Sequence, residues 1–126
     1  MELQQLIDDL KNGTGIQRSR AASELGRSGS LQAAAPLVAA LSDGNASVRS
    51  NAAFSLGEIG AVDSAASLIA LLEDDDPFVR KSAAKALGLL RAADAVPALN
   101  RAKDDPSDIV RRNAERSLRW ISDEKA

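Results

Sequence analysis

The sequence predicts an all-α array of four stacked helix pairs with a 31-residue repeat. Three observations carry this. Leu25, Leu56, Leu87 and Leu118 stand 31 residues apart, each inside a returning segment such as Val48-Arg49-Ser50-Asn51-Ala52-Ala53-Phe54-Ser55-Leu56-Gly57. A second apolar column, Leu6, Leu37, Leu68 and Leu99, keeps the same interval. Within a period the apolar residues recur every three or four positions, as in Val48, Ala52, Leu56 and Ile59. That spacing draws one face of a helix, and a period of this length marks a stacked repeat. No strand pattern competes with it.

The elements follow in chain order. The first pair is expected over 2–11 and 16–27, parted by Asn12-Gly13. The second covers 33–42 and 46–60, with Asp43-Gly44-Asn45 between the helices. The third covers 64–73 and 77–90, and the fourth 94–103 and 107–122. Asp76-Pro77 and Asp105-Pro106 each put an acceptor before proline, as at a helix start. Pro36 and Pro97 fall in the first turn of their helices, where a missing N–H is harmless. The repeats are read as 1–29, 30–60, 61–91 and 92–122 of a single domain over 1–126. One pair is too short to bury its apolar face alone, so the core forms by stacking.

Composition narrows the chemistry. Aromatic residues are 2% of the chain, so a core must be built from Ala, Leu, Val and Ile. Small side chains let helices approach closely. The formal net charge is −2, and bulk charge gives no reason to expect nucleic acid or an anionic membrane. The absence of cysteine and histidine removes thiolate nucleophiles, the commonest general base and the commonest metal ligands. No catalytic residue, metal site or cofactor is expected, and the protein is read as not an enzyme. Met1-Glu2-Leu3-Gln4-Gln5 lacks the flank of a signal peptide, which points to the cytoplasm.

The phrase Asp-x-x-x-x-Val-Arg-x-x-Ala-Ala-x-x-Leu-Gly, followed by an Ala/Pro-Leu-Ile/Val helix, resembles the HEAT-like repeats of the phycobilisome-lyase type. The resemblance covers nearly the whole chain. It implies a right-handed α-α superhelix, a HEAT-like solenoid whose second helices line the concave face. Gln17, Glu115 and Arg119 depart from the phrase, and all three lie in the end copies, as expected of caps. Some HEAT-like enzymes hold a di-iron site through His-Glu pairs. A chain without histidine is outside that subfamily.

Columns that repeat faithfully are read as structure. Arg18, Arg49, Arg80 and Arg111 are expected to bind the inter-helix turns or the recurring Asp43, Asp74 and Asp105. Gly26, Gly57 and Gly88 are read as sites of close helix packing or helix ends. Asp74-Asp75-Asp76 is read as a solvated turn, because it lacks the ligand spacing of a calcium loop.

Columns that do not repeat locate function. On a wheel at ~100° per residue, the side of the second helices opposite the core carries Arg20 and Arg27 in copy one and Asn51, Phe54 and Glu58 in copy two. Copy three adds Phe78, Lys81, Lys85 and Leu89, and copy four Arg112, Arg116 and Trp120. Every aromatic residue of the chain is on this stripe, and its only acid is Glu58. Exposed apolar groups ringed by cations, with Trp, Phe and Arg among them, are the composition of a binding surface. Two roles fit Trp120: a binding residue, or a cover over the open end of the stack. Ile16, Phe78 and Ile109 share a column where they also fit a staple over the turn.

The expected function is a non-catalytic scaffold that binds a partner protein or peptide with acidic and apolar groups. Two alternatives come from other classes. One is a bilin lyase or chromophore-chaperone subunit cradling a tetrapyrrole. The other is nucleic-acid binding through the same groove, against which the acidic composition counts.

Overall fold

The computed structural model describes residues 2–123. Its α-helices are α1 (Leu3–Asn12), α2 (Gly15–Ser28), α3 (Ala34–Ala40), α4 (Ala46–Glu58), α5 (Ala65–Leu71), α6 (Pro77–Leu89), α7 (Val96–Ala102) and α8 (Asp108–Asp123). No strand occurs among the described residues, and no helix there is long and apolar enough to cross a membrane. The second helix of each pair falls where the sequence places it. The first helices of the last three pairs lie within their expected ranges but are shorter. Each opens with a 3₁₀ turn (Leu31–Ala33, Val62–Ser64, Ala93–Ala95) and continues as a seven-residue α-helix.

The cause lies at the end of the preceding helix. The chain reverses through a left-handed residue, with φ +69° at Gly29, +74° at Gly60 and +54° at Arg91. A tight turn is needed to re-enter the stack from there, and 3₁₀ bonds provide it. Arg91 holds a conformation that the other two repeats give to glycine. Its guanidinium donates to the Trp120 carbonyl, tying the end of α6 to α8.

The two Asp-Pro steps also part company. Asp76 caps α6 by accepting from the Phe78 amide at 2.8 Å. Asp105 lies two residues earlier in its repeat, and α8 begins only at Asp108. Its carboxylate accepts instead from the Ser107 amide and from Arg80.

The leucine columns form the core. Leu25, Leu37, Leu56, Leu68, Leu87 and Leu99 are completely buried in one continuous apolar cluster. Successive second helices pack along one another extensively, whereas first helices of adjacent pairs touch sparsely. The stack is therefore tighter on the side of α2, α4, α6 and α8.

Two devices set that tightness. Gly26, Gly57 and Gly88 admit the next second helix. A Cβ on Gly57 would come 2.9 Å from Ala86 Cα, and on Gly88 it would collide with Ser117 and Trp120. Ser55 donates to the Ala22 carbonyl at 2.6 Å, and Ser117 to the Ala84 carbonyl at 2.7 Å, so the buried hydroxyls cross-link the same seams.

Along the turn edge runs the arginine–aspartate ladder. Arg18 meets Asp43, Arg49 meets Asp74 and Arg80 meets Asp105, each through a 2.9 Å bond from Nε and a 3.1 Å bond from Nη2. The remaining Nη1 donates to the turn of the arginine's own pair, at the carbonyls of Gly13, Asp43 and Asp74. Each arginine thus clamps two consecutive turns. Arg111 instead pairs with Asp108 of its own helix at 3.3 Å and donates to the Asp105 carbonyl at 2.7 Å.

Candidate partner-binding face

The candidate face is built from the outer positions of α2, α4, α6 and α8. At its N-terminal end Arg20 and Arg27 are exposed, and Arg27 donates to Ser23 Oγ at 3.2 Å. On α4, Asn51 is turned into the stack, where its amide donates to the Ser19 carbonyl at 3.0 Å and Ser19 Oγ at 2.9 Å. That residue joins α4 to α2, and its donors are committed to the seam rather than aimed at the groove.

Phe54 and Lys85 occupy one column, 31 residues apart on α4 and α6. Phe54 is half-buried, and the Lys85 ammonium lies 5.0 Å from its ring centroid. Phe78 projects at the start of α6, 60% exposed, with Lys81 Nζ 5.9 Å from its centroid. Cation–π contacts of this exposed kind are worth ~0.5–1 kcal/mol and hold the ammonium groups near the rings. Arg116 continues the Phe54–Lys85 column onto α8 and is exposed. Arg112 pairs with Asp108 at 2.5 Å. Among the described residues, Lys81, Lys85 and Arg116 have no carboxylate within 4.0 Å.

The staple expected of Ile16 and Phe78 does not form, since both are exposed; only Ile109 packs on the core. Trp120 does not cover the open end of the stack either. It lies backwards over Gly88 of α6, half-buried. Leu89 lies over Gly57 and Glu58 over Gly26 in the same way. The signal for this was present in the sequence: each of these side chains follows its glycine by 32 residues (58−26, 89−57, 120−88). The glycine makes room for the side chain of the next repeat. Trp120 is therefore part of the seam on one face and open to the groove on the other. Trp120→Ala is expected to cost about 2 kcal/mol, below the full range for a buried aromatic because the ring is half-exposed. Thermal unfolding followed by circular dichroism checks this, and an unchanged melting temperature would remove the packing role.

Sequence reasoning passed over one apolar feature. Leu31 and Val62 open two of the 3₁₀ turns, are more than 60% exposed, and flank a shallow groove lined by Ala34, Ala35 and Val38. Among the described residues no group of three or more carboxylates, histidines or cysteines is placed to hold a metal ion.

Comparison with known proteins extends the picture. A family model of HEAT repeats matches residues 3–76 and 34–119. Comparison with curated proteins returned no significant match. Among solved structures, human deoxyhypusine hydroxylase in complex with glycerol superposes with a TM-score of 0.81 at 28% identity, over 97% of this chain and 44% of that one. An engineered protein superposes at 0.79 and 21% identity, over 97% of this chain and 63% of that one. The complex of CpcE and CpcF of phycocyanin lyase from Nostoc sp. PCC7120 gives 0.71 at 23% identity, over 99% of this chain and 66% of that one. This chain spans less than two thirds of the length of each. The last two likenesses speak for the fold alone.

Proposed function

This chain belongs to the HEAT-repeat family, and from that premise we propose that it is a non-catalytic scaffold that binds a partner protein or peptide along its concave face. The observation that carries the reading is the column Phe54, Lys85 and Arg116 beside Phe78 and Lys81. Within a chain of net charge −2, this part of the surface is basic, bears two of the three aromatics, and offers cations that no nearby carboxylate neutralises. The partner surface has carboxylates for the cations and apolar groups for the rings. Cations concentrate on α6 and α8, so the C-terminal half supplies most of the affinity. Arg20, Arg27, Glu58, Leu89, Arg112 and Trp120 rim the same face, and Asn51 supports it from within the stack.

The test combines Phe54→Ala, Lys85→Glu and Arg116→Glu. The folded triple variant is expected to lose a partner that the unaltered protein retains on an affinity resin. The charge reversals should also remove the salt sensitivity of binding. Full retention by a variant with an unchanged circular dichroism spectrum would overturn the reading.

A further inference from the structure

The candidate face has a period as well as a charge. Phe54, Lys85 and Arg116 stand at the same position of three consecutive second helices, one contact group per repeat. Lys85 and Arg116 are like charges in neighbouring places of one column, with no carboxylate within 4.0 Å among the described residues. Neither charge is neutralised within the stack, so the column is complementary to carboxylates that arrive at the same period. Packed helices lie about 8–10 Å apart. A segment crossing them must present its side chains to one side at that interval. A β-strand returns to the same side every two residues, about 6.7 Å, which falls short. A polyproline-II segment returns every three residues, about 9.3 Å, which fits.

Resting on the groove reading above, we propose that the occupant is an extended acidic segment of polyproline-II pitch that crosses α4, α6 and α8. It carries two carboxylates three residues apart, for Lys85 and Arg116, and an apolar side chain three residues beyond the carboxylate on Lys85, for Phe54. Copy one has Ser23 at this position, so the contact column ends with Phe54 on α4. In the neighbouring row Ser50 on α4 is followed by Lys81 on α6 and by Arg112 on α8, which already pairs with Asp108, so that row adds one unpaired cation, Lys81.

The experiment uses fluorescein-labelled twelve-residue peptides of one composition, each with one leucine and two glutamates. The glutamates are two, three or four residues apart, the leucine is three residues from the nearer one, and both chain directions are made. Fluorescence anisotropy at low salt reads the affinity for the full chain. The three-residue spacing is expected to bind about tenfold tighter than the other two in one chain direction. Arg116→Glu should erase that preference, and changing the outer glutamate of the peptide to lysine should restore binding to Arg116→Glu. Equal affinity for all spacings, or a preference for two, would overturn the register while leaving the acidic groove standing. Binding that ignores the glutamates altogether, or no binding by any peptide, would overturn both.

Discussion

Gly57→Leu is expected to destabilise the protein by about 3 kcal/mol or more, the upper part of the range for overpacking a tight site. A Cβ at this position already comes 2.9 Å from the α-carbon of Ala86 and 3.1 Å from its Cβ, and further atoms would meet the backbone of α6. A flexible side chain could move aside, but backbone cannot, so α4 and α6 must separate. In a stack, each pair contacts only its neighbours. Opening the middle seam leaves two halves of two pairs, each short of a self-sufficient core. Chemical denaturation should therefore show a lower midpoint together with a broader transition. Gly44→Leu is the control, since a Cβ there meets nothing within 4 Å. Equal stability of the two variants would show that glycine does not set the helix approach.

Asp74→Ala is the second large effect, about 2–3 kcal/mol, because it leaves a partly buried guanidinium without its partner. Asp74 accepts two bonds from Arg49 and one from the Asp76 amide, and its side chain is only 11% exposed. Burial raises its proton affinity, but the Arg49 bonds, the Asp76 amide and the charges of Arg49 and Arg80 outweigh it and hold the carboxyl below its ordinary value. Asp105 behaves likewise against Arg80 and the Ser107 amide, and Asp43 is held down chiefly by its bonds from Arg18. With native values depressed, the unfolded chain takes up protons first as pH falls. The ladder's contribution is thus complete above the unfolded carboxylate value of about 3.9 and is lost as pH drops through the lower native values. Melting temperatures measured from pH 7 to 2 should fall steeply below about pH 4. Asp74→Ala should lower the whole curve and flatten that fall. A variant curve parallel to the original would remove Asp74 from the acid transition.

The two predictions show where sequence and structure divide. The 31-residue interval located all four second helices to within about two residues, since a long amphipathic helix writes its period plainly. It also paired Arg49 with an aspartate, because a contact between neighbouring repeats must recur when the repeats recur. The first helices were harder. The apolar pattern of 33–42 reads as one helix, yet only Ala34–Ala40 is α-helical, and the 3₁₀ turn Leu31–Ala33 begins before that range and leads into it. What forces that turn is the left-handed reversal at Gly29, Gly60 and Arg91, and Arg91 carries no glycine signal.

The candidate site divides in the same way. Sequence alone separated positions that repeat from those that do not, and so picked out Phe54, Lys85 and Arg116. It could not tell a side chain facing the groove from one lying on the neighbouring helix. Asn51 and Trp120 are on the outward side of a wheel drawn for one helix, but the next helix is close enough to reach. Only the tertiary structure decided that Asn51 serves Ser19 and that Trp120 rests on Gly88. The physical reason is distance. Periodicity states which side of a helix a residue is on, whereas glycine, alanine and serine at the seams bring the helices together, and that approach determines which of those residues still meet solvent.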